Sequence, residues 1–100
     1  MMLTPSHAIA DLIRQGESET VEFKSAFDQA SIETLVAFAN AKGGQLLVGV
    51  ADSGKIIGAQ LGNETIPQWI NQIKANTSPS LLPDVVIVSI DRKDVVIFRV

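Results

Sequence analysis

Apolar residues change their spacing several times along the chain, and each change predicts an element. Ile9, Leu12 and Ile13 recur at helical intervals behind Thr4 and Pro5, which read as an N-cap and a first-turn proline, and Gly16 closes this short helix. Residues 20–24 then alternate, Val21 and Phe23 against Glu22 and Lys24, as a strand with one buried face requires. From about Asp28 or Ser31 the period returns to that of a helix: Ile32, Leu35, Val36 and Ala39 share a stripe, and Asn40, Lys42 and Gly43 end it. Residues 45–51 form a nearly continuous apolar run, the mark of a central strand buried on both faces. A turn at Asp52, Ser53, Gly54 and Lys55 leads to a short return strand at Ile56 and Ile57. Ile66, Trp69, Ile70 and Ile73 mark a further helix, with Thr65 as cap and Pro67 in its first turn. Residues 85–90 and 95–100 are two last strands joined by residues 91–94. The predicted order is α-β-α-β-β-α-β-β, an α/β (α+β) domain with one mixed sheet and helices packed on it.

A chain of 100 residues, 46% hydrophobic and 19% charged, has the core of one globular domain and no more. It has no cysteine, so a disulfide framework and a thiolate zinc site are both ruled out, and a cytoplasmic location is the expectation. No apolar run approaches the roughly 18 to 20 residues of a membrane-spanning helix. Because the sequence reaches Val100 inside a strand pattern, residues 1–100 are expected to be the N-terminal part of a longer protein, with further domains of the same chain as partners.

A net charge of -3 works against broad attraction to phosphates, so any nucleic-acid contact has to be local. The cations suited to such a contact are Lys24, Lys42, Arg92 and Lys93, with the backbone amides of Gly43 and Gly44 as further donors. The double glycine serves equally well as a plain helix stop. It is not a nucleotide-binding loop, because nothing in the chain matches G-x-x-x-x-G-K-[ST], and these glycines follow a helix instead of opening one.

Acidic residues make a second candidate site. Glu17, Glu19 and Glu22 crowd one turn and strand, and Asp52 stands at the end of the central strand. Glu17, Glu22 and Asp52 together could hold Mg²⁺ or Mn²⁺. The alternative is a solvated acidic surface with Lys24 paired to a neighbour and Asp52 bonded to its own turn. His7, the single histidine, has no catalytic partner at a recognisable spacing, and Trp69 falls on an apolar stripe, which makes it a core residue. For these features to form one site, the acidic strand, the double glycine and the Asp52 turn must meet at one solvent-facing edge of the sheet.

Four blocks occur in order: ESETVEFK at residues 17–24, AFANAKGG at 37–44, LLVGVADSGKIIG at 46–58 and SPSLLP at 78–83. Together they resemble the Schlafen AlbA_2 family, a DNA-binding domain once called divergent AAA-4. Such domains stand at the amino end of bacterial transcriptional regulators and of relatives of the RecG-type DNA helicase. The resemblance therefore implies a nucleic-acid-contacting module, of DNA or RNA, in a larger regulator. Related vertebrate Schlafen cores are endoribonucleases that use two glutamates, an aspartate and a divalent metal; those positions look like Glu17, Glu22 and Asp52. Ala51 departs from the pattern at a place that is often acidic. A third expectation is a protein-interaction module or homodimer, with residues 95–100 as an open sheet edge.

Overall fold

The computed structural model describes residues 6–100, so Thr4 and Pro5, the expected cap and first-turn proline, lie outside the described residues. The described chain forms α1 (Ser6–Gln15), β1 (Val21–Lys24), α2 (Gln29–Ala39), β2 (Gln45–Val48), α3 (Thr65–Ala75), β3 (Asp84–Ile90) and β4 (Lys93–Arg99). The strands make one four-stranded sheet in the order β1-β2-β4-β3. β1 and β2 are parallel and joined through α2, while β4 runs antiparallel to both of its neighbours, β2 and β3. The fold is thus α+β with a single mixed sheet, as the spacing of apolar residues predicts.

Helices cover both faces. On one face Ile9 and Ile13 of α1 pack with Val21, Phe23, Leu47, Val95 and Ile97. On the other, Ile32 and Leu35 of α2 and Ile73 of α3 pack with Leu46, Val48, Val96 and Phe98. Leu46, Leu47 and Val48 are inaccessible to solvent, and so are Val95 through Phe98. Successive side chains point to opposite faces of a strand, so such a run requires cover on both. α2 is set by a reciprocal cap: the Asp28 carboxylate accepts from the Ser31 amide, and the Ser31 hydroxyl accepts from the Asp28 amide, each at 3.1 Å.

Several sequence expectations change. First, the central strand stops at Val48 and does not run on to Ala51, because Gly49 takes φ +104° and the chain turns out of the sheet. Second, the return strand is a single bridge between Val50 and Ile56, so the order of elements is α-β-α-β-α-β-β. The place beside β2 that this strand would need belongs to β4, whose Asp94 carbonyl instead accepts from the Ala59 amide at 2.8 Å. Third, residues 95–100 are not an open edge. β4 is interior, and the free edge is β3.

The β3–β4 connection is shorter than expected. Ile90 pairs with Lys93, which leaves only Asp91 and Arg92 in the turn, at φ 51° and 66°. Two positive-φ residues are what a two-residue hairpin of the favoured twist demands, and side chains are strained there. Replacing Arg92 with glycine is therefore expected to raise the unfolding free energy by about 0.5 to 1 kcal/mol, part of the relief being offset by glycine's greater freedom when unfolded. Urea denaturation checks this, and a loss of stability would contradict the turn geometry.

Candidate functional site

The carboxylates of residues 17–24 serve local structure. Val21 and Phe23 turn their main-chain groups away from β2, towards the outer edge of β1. There Ser18 bridges Val21, and the Glu17 carboxylate accepts from the Phe23 amide at 3.0 Å. Glu22 points instead to the face covered by α2, where the Thr34 hydroxyl donates to its Oε2 at 2.9 Å and Lys24 Nζ lies 3.6 Å from the same oxygen. Asp52 is exposed in the turn beyond β2; it is the neighbouring Ser53 hydroxyl that accepts a turn amide, from Lys55. Alternation along β1 explains the separation, because Glu17 is bound at the strand's edge while Glu22 stands on its face.

Among the described residues no group of three His, Cys, Asp or Glu side chains is placed to hold a metal ion. The donor set expected for Mg²⁺ or Mn²⁺ at Glu17, Glu22 and Asp52 is therefore not assembled. The residues present do not fit the ion, and no metal-dependent step follows from them.

The double glycine also has structural duties. The Gly43 amide donates to the Phe38 carbonyl at 2.8 Å, closing the end of α2, and the Gly44 amide donates to the Val100 carbonyl at 3.1 Å. A Cβ on Gly43, at φ +84°, would come within 2.6 Å of the Val100 carbonyl oxygen, and one on Gly44 within 2.6 Å of the Phe38 ring. Both amides are thus engaged internally, which corrects the expectation that they are free to meet a phosphate. Glycine is needed here for close approach of the chain to itself.

Nor do the acidic strand, the double glycine and the Asp52 turn share one edge. Gly44 immediately precedes β2 and Asp52 lies past its far end, so the whole strand separates them. The candidate cations divide in the same way. Lys24 ends β1, and Arg92 and Lys93 sit where β4 begins, the Lys93 ammonium donating to the Ile56 carbonyl at 3.3 Å. This end also holds Glu22, Asp52, Asp91 and Asp94. Lys42 and the two glycines are at the opposite end, where β1 and β2 start and β4 finishes.

At that second end the sheet makes a shallow cleft of about 270 Å³, lined by Thr20, Lys42, Gly43, Gly44, Gln45, Arg99 and Val100. Arg99 stands opposite Gln45 in the β2–β4 ladder, and its Nε donates to the Gln45 side-chain oxygen at 2.9 Å. Lys42 is exposed, with Glu19 at 3.8 Å; so open a pair contributes little. Arg99, Thr20 and Gln45 are absent from the residues picked out by sequence. Only strand register brings Arg99 to Gln45, 54 positions earlier in the chain.

A family model described as Schlafen, AlbA_2 matches residues 17–100. The chain belongs to the Schlafen AlbA_2 family. No curated protein and no solved structure matches it. The matched span of this AlbA_2 domain begins at Glu17, the residue that closes the β1 edge, and takes in every strand of the sheet and the whole cleft. α1, which supplies Ile9 and Ile13 to one face, precedes the matched span. Among the described residues no helix is long and apolar enough to cross a membrane.

Trp69 stacks on Phe27, with ring centres 4.9 Å apart and planes at 14°, and both rings meet Phe98. It is half-buried in this cluster, which agrees with its reading as a core residue.

Proposed function

We propose that this AlbA_2 domain contacts nucleic acid, DNA before RNA, as a module of a bacterial transcriptional regulator or a RecG-like helicase-related protein, and that the Lys42–Arg99 cleft meets the phosphates. One observation carries the reading: the cleft sets two cationic side chains beside the Thr20 hydroxyl and the Gln45 amide, a donor-rich surface suited to a phosphate backbone. The guanidinium presents a planar fork of donors and the ammonium a compact charge, both used for phosphates. The other end of the sheet is less suited, because Lys24 is half-buried against Glu22, whereas the Lys42–Glu19 pair is open to solvent, and because Asp91 and Asp94 flank Arg92 and Lys93 in the sequence. With a net charge of -3 the chain gains nothing from long-range attraction, so binding is weak, sensitive to salt and reads little of the base sequence.

Titration of labelled DNA and RNA at several salt concentrations tests this. Lys42→Ala combined with Arg99→Gln is expected to weaken binding to all sequences alike, and to reduce the salt slope by about 1 for each phosphate that is no longer neutralised. A Lys24→Ala, Lys93→Ala pair is expected to have a smaller effect. Affinity indifferent to salt, or equal for wild type and the cleft variant, would refute the reading; circular dichroism of each variant establishes that it is folded.

A further inference from the structure

The two outer edges of the sheet are treated differently. At β1 the chain closes its own edge, through the Ser18–Val21 bridge and the Glu17 carboxylate on the Phe23 amide. At β3 no strand of the described chain lies alongside, and the exposed Asp84 at its start is its one charged residue. Its sequence, DVVIVSI, has no lysine, arginine or proline, and Ile87 at its centre is 51% exposed. An apolar open edge of this length is a template for another strand.

We propose that β3 joins two copies of this chain, pairing antiparallel with itself about Ile87 to make one continuous sheet. Main-chain geometry supplies the argument. In a two-residue hairpin the flanking pair, here Ile90 and Lys93, exchanges hydrogen bonds, and along an antiparallel ladder such pairs alternate with pairs that do not. Ile90, Val88, Val86 and Asp84 therefore turn their amides and carbonyls towards β4, and Ser89, Ile87 and Val85 turn theirs outwards. A two-fold axis at Ile87 sets Ile87 opposite Ile87 and Val85 opposite Ser89, so every outward group meets an outward partner. Side chains agree with this register. The exposed Ile87 residues cover one another, Val86 meets Val88, and Asp84 meets Ile90, so no like charges face each other. The symmetry is that of the commonest homo-oligomers. A register shifted by one residue would oppose outward groups to inward ones and lose the ladder.

The chain has no cysteine, which makes a direct test available. Antiparallel hydrogen-bonded partners sit about 5.5 Å apart at Cα, within disulfide reach. Ile87→Cys is expected to oxidise to a covalent dimer, whereas Ile57→Cys, similarly exposed at 47% but off the edge, is expected to stay largely monomeric. Light scattering over a dilution series is expected to give twice the chain mass for wild type. Ile87→Lys is expected to give the single-chain mass, and so is Ser89→Pro, which removes only an outward amide. A single-chain mass for wild type at every concentration would overturn the proposal. So would a dimer that survives both edge variants, or equal crosslinking at positions 57 and 87. Should Ile87→Lys fail to fold, Ser89→Pro and the cysteine pair still decide.

Discussion

Gly49→Ala is expected to lower the unfolding free energy by about 3 kcal/mol, with about 1 to 2 of these from the backbone alone. Gly49 adopts φ +104°, outside the range that a residue with a Cβ takes readily. The added carbon would also lie 2.9 Å from the Asp94 carbonyl oxygen and 3.0 Å from the Ala59 amide nitrogen, both backbone atoms that cannot move without breaking their mutual bond. Several segments are tied together at this residue. The amides of Gly49 and Val50 both donate to the Lys24 carbonyl, at 2.8 and 3.2 Å, an arrangement like a β-bulge that ends the parallel pairing. The Gly49 carbonyl accepts from Ile57 and Gly58, at 2.8 and 2.9 Å. Urea denaturation followed by far-UV circular dichroism measures the loss; a change below about 0.5 kcal/mol, the range of an ordinary surface substitution, would show that the site relaxes freely.

Phe98→Ala is expected to cost about 3 to 5 kcal/mol, the range for deleting a buried aromatic ring. Phe98 is inaccessible to solvent and lies 5.7 Å from the Phe27 ring and 6.2 Å from Trp69, at the centre of the α2–α3 face of the sheet. Its removal leaves a cavity that Phe27 and Trp69, stacked on each other, cannot fill without separating. Phe98→Leu keeps most of the volume and is expected to cost less than half as much. Trp69 is the only tryptophan, so its emission reports the same region: a shift to longer wavelength in Phe98→Ala is expected as water reaches the indole. Unchanged stability and unchanged emission would show that this cluster is peripheral to folding. Against a typical total of about 5 to 15 kcal/mol, either substitution removes a large fraction of what holds a domain of this size together.

Where one face of an element is buried, the sequence was legible. Ile32 and Leu35 mark a helix and its buried stripe by their spacing, although Phe38 completes that stripe while Ala39, expected on it, is exposed, and Asp28 and Ser31 mark the helix start through their local cap. Val21 and Phe23 identify a strand for the same kind of reason, and the unbroken run Leu46, Leu47, Val48 announces its cover on both sides. Gly49 was harder to read, since a glycine among apolar residues is compatible with a continuing strand, and what stops the strand is the arrival of Asp94 and Ala59 from later in the chain. Ile56 and Ile57 look like a strand by composition, yet pairing needs a vacant neighbour, and β4 has taken that position.

The candidate site was less legible than the fold. Lys42 and the double glycine were visible as a cation beside a bend, but Arg99 was one charged residue at the end of an apolar strand until register placed it opposite Gln45. Glu17, Glu22 and Asp52 looked like a set because they are acidic and near one another in sequence. The sheet puts Glu17 on an edge amide, Glu22 against Thr34 and Asp52 past the end of β2.

The local elements and the family are written in the amino-acid order, because helix stripes, strand alternation, caps and ordered motifs are properties of neighbouring residues. Which strand became the edge, which carbonyls took up the two glycine amides and which charges shared a cleft emerged only on folding. Those outcomes depend on strand order and register, set by packing between residues far apart in the chain, and a pattern of neighbours carries no record of them.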